Sequence, residues 1–226
     1  ASALQVLGVV EGIARPVVGG TFLGFASRTV MMDLGGNVDC RPDQFLDFAI
    51  VGTVYARKMQ GIDNPTVALL SIGAEEGKGN ELVRESYLLF QKSGLNFIGN
   101  VEGMDIPRGK ADVIVCDGFV GNILVKFCEG LGKLVSGWLT QELADSLGAD
   151  DAKKLASKLY GLMSPGAVMG GGPLLGVDGV ATVAHGSSRA PQIVGTIKQA
   201  KLAVESGFVN TLRTELEQVQ ARVSLE

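Results

Sequence analysis

The chain has 226 residues, 46% of them apolar and 19% charged, with a formal charge of −4 and 32 glycines. That much apolar material supports one large or two small packed domains and excludes a disordered chain, while the mild acidity removes any general attraction to nucleic acid. A single histidine and three separated cysteines without a C-x-x-C pair exclude multi-histidine zinc sites and a disulfide framework, and suit free thiols in a reducing cytoplasm.

Residues 1–13 read as the middle of a helix that begins without a capping residue, the pattern expected if an upstream segment is missing. Apolar, β-branched runs then alternate with helical periods, as in a parallel sheet with crossover helices. Strands are expected at 29–32, 67–72, 96–98, 113–116 and 181–184. Helices are expected at 44–59, with Phe45, Phe48, Ala49, Val54 and Tyr55 on one face, and at 80–92, with Leu82, Val83, Tyr87 and Phe90. Over 123–163 the pattern changes. Leu131, Leu134, Val135, Trp138, Leu139, Leu143 and Leu147 form one apolar stripe, Gly148 interrupts it, and Ala152, Leu155, Ala156, Leu159 and Met163 form a second. This predicts a protruding αα-hairpin inserted in a single α/β domain spanning 1–226. Its faces suit a core or dimer interface or, with Lys153, Lys154 and Lys158, a membrane or acidic partner. No run reaches the roughly 18 apolar residues that cross a bilayer.

The segments just after the strands carry the chemistry: "DLGGN" at 33–37, "GAEEGKGN" at 73–80, "GNVE" at 99–102, "DGFVGN" at 117–122 and "HGSS" at 185–188. In an open parallel sheet such tails emerge together at the edge where ligands bind, although each alone equally suits a turn or a helix cap. The 73–80 run is not a nucleotide phosphate loop. It is one residue short of G-x-x-x-x-G-K-[ST], has no hydroxyl after Lys78, and carries Glu75 and Glu76, which repel a triphosphate. Lys78 nevertheless precedes a helix N-terminus, whose unpaired N–H groups and dipole favour an anion; the plainer alternative is a solvated charged turn. Asn122 is expected to open the next helix, as a cap or as a donor to a ligand oxygen. His185, whose unperturbed pKa lies near neutrality, reads as an acid–base group or a hydrogen-bonded structural residue. Cys116, in an apolar strand, reads as buried and inert.

Five stretches together resemble one family, in order and over nearly the whole chain: "DLGGNVDCRPDQFLDFAIVGTVYA", "NPTVALLSIGAEEGKGNELVRES", "NFIGNVEGMDI", "ADVIVCDGFVGNILVKFCEG" and "GGPLLGVDGVATVAHGSS". The family is the bacterial phosphate acyltransferases, the PlsX family of acyl-carrier-protein:phosphate transacylases. The resemblance implies a three-layer α/β/α sandwich with a mostly parallel sheet, related to isopropylmalate dehydrogenase and phosphotransacetylase. It implies a cytoplasmic homodimer that moves a long-chain acyl group from acyl carrier protein to inorganic phosphate for phospholipid synthesis, with the hairpin available for peripheral membrane contact. Lys78 in "KGNE" and Asn122 in "DGFVGN" match catalytic positions, and His185 is a further motif member. Asp33, Asn37, Gly73, Glu75, Glu76, Gly79, Asn80, Asp117, Gly118, Gly121, Gly186 and Ser187 are the accompanying phosphate- and substrate-binding candidates. The chemistry calls for neither metal nor cofactor, since phosphate is an anionic nucleophile and the leaving thiol has a pKa of about 8.5.

The chain departs from the family in lacking its upstream "DAMGGD"-like and "GNTGA"-like motifs and in carrying Gly36 where alanine is usual. Two other readings stand beside the first: a phosphotransacetylase acting on acyl-coenzyme A, and a non-catalytic dimeric fragment that binds carrier protein or membrane. A dehydrogenase of the related fold is disfavoured because no G-x-G-x-x-G fingerprint is present.

Overall fold

The structure, a computed structural model, describes residues 2–164, 166, 171–184, 186 and 188–224. In chain order its elements are α1 (Ser2–Leu7), β1 (Val17–Thr21), β2 (Val30–Met32), α2 (Pro42–Gln60), β3 (Val67–Leu70), α3 (Glu81–Lys92) and β4 (Phe97–Val101). The second half of the chain adds β5 (Val113–Val115), α4 (Gly118–Glu142), α5 (Ala144–Leu147), α6 (Ala149–Met163), β6 (Gly171–Leu175), β7 (Ala181–Ala184), α7 (Ala190–Glu205) and α8 (Phe208–Ser224).

The strands form one seven-stranded sheet in the order β4-β3-β5-β2-β1-β6-β7. It has two halves. β2, β5, β3 and β4 are parallel, joined by α2, α3 and a 3-10 turn at Gly103–Arg108, because a parallel return requires a crossover. The remaining pairs, β1 with β2, β6 with β1 and β7 with β6, are antiparallel. Three reversals separate β2 from β7, so the chain leaves β7 at the edge opposite to the ends of β2, β3, β4 and β5. The expectation of five tails at one edge therefore holds for four. Of the "HGSS" tail that follows β7, His185 and Ser187 lie outside the described residues.

Alternation along the central strands builds both interfaces of the sandwich. Val30, Met32, Val67, Leu69, Val113 and Val115 face α2, α3 and α8, where Phe45, Phe48, Phe90, Leu212 and Leu216 complete the core. Met31, Ala68, Ile114 and Cys116 face the opposite way, against Phe22, Ile106 and the α4 residues Val120, Leu124 and Val125. Helix α2 is buried almost all round, since it is held between the sheet and α8. Its limits obey local rules: Pro42 stands in the first turn, and Gly61 ends the helix at φ +68°.

Helices α4 and α6 form the expected hairpin. The turn passes through α5 and Gly148, whose φ of +81° suits glycine. Ala152 and Ala156 are buried against α4, Ser136 Oγ donates to Ala156 O at 2.9 Å, and a side chain at Gly132 would crowd Tyr160 and Met163. The outer face of α4 exposes Phe119, Ile123, Phe127, Leu134 and Trp138. Among the described residues no helix is long and apolar enough to cross a membrane.

Candidate active-site crevice

The 33–37 loop after β2 is organised by one carboxylate. Asp33 Oδ1 accepts from the N–H groups of Gly36 at 2.9 Å, Gly35 at 3.0 Å and Val18 at 3.3 Å. Its Oδ2 accepts from Asn37 N at 2.7 Å and Asn37 Nδ2 at 2.8 Å. Asn37 Nδ2 also donates to Pro16 O at 2.8 Å, and Asn37 O accepts from Gly118 N at 2.6 Å. The Asp33 carboxylate and the Asn37 N–H donors, on two buried residues, are thus spent on shaping the loop and joining it to the start of β1, while Asn37 O joins it to α4.

The start of α4 is pressed onto this loop, which explains the glycines of "DGFVGN". A Cβ on Gly118 would lie 2.7 Å from Asn37 O, and one on Gly121 would overlap Asp33 O. Asp117 is the helix cap, its Oδ1 accepting from Val120 N at 2.8 Å. Asn122 therefore does not open the helix, as expected from sequence. It stands in the second turn, exposed, beside Gly35. The carboxylate at 117 captured the cap because a helix needs only one and Asp117 comes first in the chain.

At the end of β3 the chain turns through 73–80. Asn80 caps α3, its Oδ1 accepting from Val83 N at 3.0 Å. Gly79 has φ +107°, and a side chain there would meet Val83. Lys78 lays its methylenes over Gly73, with the Glu75 side chain beside the same glycine. Among the described residues the Lys78 ammonium makes no hydrogen bond or ion pair, so neither Glu75 nor Glu76 forms a salt bridge with it. Both glutamates are exposed. Two further residues support the turn: Asn100 Nδ2 donates to Glu75 O at 2.9 Å, and Arg84 Nη1 donates to Gly79 O at 3.1 Å. Neither stands out in the sequence as a site residue. Asn100 lies in the "GNVE" tail, where an asparagine in an apolar strand is the available signal.

These turns enclose a crevice of about 330 Å³ beyond the ends of β3 and β5, lined by Ser71, Gly79, Asn80, Gly103, Asp117 and Val120 among others. Its floor includes Cys116, whose thiol burial pushes far above its usual range, aided by Asp117 and Asp33, so it stays protonated and inert as expected. Burial and Asp33 push the Cys40 thiol up to about 11. Of the sequence candidates, Gly79, Asn80 and Asp117 line the crevice, with Lys78 and Gly73 in its rim turn and Gly118 in the adjoining helix turn. Gly186 comes after β7 on the opposite edge. The arrangement offers an anion the first N–H groups of α3 and one ammonium, without a bound counter-charge on Lys78.

The family model described as "Fatty acid synthesis protein" matches residues 1–211. A protein named phosphate acyltransferase from Desulforamulus reducens is 43% identical over 220 residues, 96% of this chain and 66% of its own length. One of the same name from Elusimicrobium minutum is 41% identical over 219 residues, covering 95% of this chain and 64% of its own. A third, from Thermoanaerobacterium thermosaccharolyticum, is 43% identical over 231 residues, 99% of this chain and 68% of its own. The chain thus spans about two thirds of the length of these relatives.

Proposed function

The chain belongs to the fatty acid synthesis protein family, beside relatives named phosphate acyltransferase, and on that footing we propose that it transfers a long-chain acyl group from acyl carrier protein to inorganic phosphate. The observation that supports this reading is the crevice at the N-terminus of α3, with Lys78, which makes no hydrogen bond or ion pair among the described residues, in the adjoining rim turn.

In this scheme Lys78 and the first N–H groups of α3 hold phosphate. A phosphate oxygen attacks the thioester carbonyl; the C–O bond forms, the C–S bond breaks, and the electron pair leaves on sulfur as a thiolate that water protonates. The thiol's pKa of about 8.5 makes this departure easy, so the protein supplies position and charge stabilisation. Asn122 donates to the developing oxyanion. Asp33, Asn37, Gly118 and Gly121 hold the α4 end in place through the contacts described above. His185 and Ser187 lie outside the described residues, and the scheme assigns no step to them or to Gly186.

The acyl phosphate product serves phospholipid synthesis in this reading, and the enzyme works as a homodimer. The exposed apolar base of α4, with Phe119, Ile123 and Phe127, supports a contact between copies, and the hairpin tip supports peripheral contact with lipid.

The donor is tested by monitoring thiol release in phosphate buffer with hexadecanoyl carrier protein and with acetyl-coenzyme A. The proposal predicts that the first is the better donor. A preference for acetyl-coenzyme A would move the assignment to phosphotransacetylase.

A further inference from the structure

The sheet opens between β1 and β6. These strands pair only at Val17 with Leu175 and Val18 with Leu174, after which β1 stays with β2 and β6 stays with β7. The sequence accounts for the opening. Gly19, Gly20, Gly171 and Gly172 weaken strand formation along both edges, and Pro173 has no N–H to offer a partner.

The gap is a cleft of about 270 Å³, walled by Gly20 and Thr21 on one side and Gly172 and Pro173 on the other. Tyr55 closes it from the α2 side, and Val125 and Met163 cover it from the hairpin side. A largely apolar cleft of this size is the kind of space in which small ligands bind. The wall from Val18 to Phe22 is about 13 Å long at roughly 3.3 Å per strand residue. Its lining is mainly apolar and its charged pair, Lys126 with Glu129 at 3.0 Å, stands at the α4 side. A phosphate or nucleotide would find few partners there; an extended hydrocarbon chain fits the chemistry.

The cleft and the crevice lie on either side of the start of α4. Asp117, Val120 and Leu124 line the crevice, whereas Asn122, Val125 and Lys126 line the cleft, so the first turns of one helix divide the two spaces. Resting on the acyl-transfer reading given above, we propose that this cleft receives the acyl chain of the donor thioester, entering beside Asn122, and that its depth sets the chain length accepted. The reacting carbonyl then lies at the α4 N-terminal turns, between the hydrocarbon in the cleft and the phosphate in the crevice.

The test is calorimetric binding of acyl-pantetheine thioesters, from acetyl to hexadecanoyl, without phosphate. Affinity is expected to rise about fourfold per added methylene until the cleft is filled and then to level off. Gly172→Leu narrows the cleft, since a Cβ at Gly172 meets nothing within 4 Å. It should bring the plateau to shorter chains and weaken hexadecanoyl binding at least about tenfold, with acetyl binding unchanged. Val125→Trp fills the opposite wall and should do the same if Gly172→Leu proves unstable in a melting scan. A flat chain-length series, or folded variants that bind hexadecanoyl as the native protein does, overturns the proposal. Phosphate-dependent transfer that persists with a flat series would sink the cleft alone; a steep, variant-sensitive series without any phosphate-dependent transfer would keep the cleft and sink the transferase reading.

Discussion

Asp47 sits within buried α2, where its Oδ2 accepts from Ala14 N at 3.0 Å and the Gln220 amide supplies a second hydrogen bond. Gln220 also donates to Gly12 O at 2.8 Å, so this carboxylate ties the segment before β1 and helix α8 to the core. Burial pushes its pKa up to about 6, with Asp43 adding to the rise while the hydrogen bonds and Arg41 oppose it. A raised carboxylate binds its proton more tightly folded than unfolded. Its stabilising contribution is therefore complete below about pH 4 and is lost as pH rises through about 6. Asp47→Asn keeps an acceptor for Ala14 without a charge. It should flatten the fall in melting temperature between about pH 4 and about pH 7, and match or exceed the native protein at the upper end. An identical slope in the two proteins would show that Asp47 is not the group responsible.

Helix α4 does more than one task along its length. Its first turns seal the 33–37 loop through Gly118 and Gly121 and divide crevice from cleft; its far end carries the hairpin tip, where Trp138 is 57% and Leu147 49% exposed. Large apolar side chains left in water fit a lipid surface. Trp138→Glu combined with Leu147→Glu should abolish co-flotation with anionic vesicles while leaving the melting temperature within a few degrees. Undiminished flotation would remove the tip from membrane contact. The hairpin was legible in the sequence because two long apolar stripes flank Gly148, a signal that survives without tertiary knowledge. The strands β1 and β6 were not legible. Their sequences, "VVGGT" and "GGPLL", are short and interrupted by glycine and proline, which are depleted in strands, and pairing with β2 and β7 makes them strands.

Across the molecule, the sheet is half parallel and half antiparallel, and the division decides what meets what. The parallel half gathers the ends of β2, β3, β4 and β5 at one edge, which the alternation of apolar runs and helical periods predicted. The antiparallel half sends the chain out of β7 at the other edge, and no local pattern could reveal that, since it depends on two unrecognised strands. Site residues obey the same logic. The positions of Lys78, Asn80 and Asp117 after strands were legible in the sequence, whereas the cap at Asp117 was not, and the bonding of Asp33 and Asn37 to Val18, Pro16 and Gly118 depends on contacts far along the chain.

The proposed reaction turns on inorganic phosphate, held beside Lys78, accepting the acyl group. To test it, hexadecanoyl carrier protein is incubated with the native chain and with Lys78→Ala, with and without phosphate, and acyl phosphate is trapped as the hydroxamate. Hydroxamate is expected only when phosphate is present, at a rate about 10²–10³ lower in Lys78→Ala with unchanged melting temperature. Hydroxamate formed without phosphate, an undiminished rate in Lys78→Ala, or none from the folded native chain would contradict it.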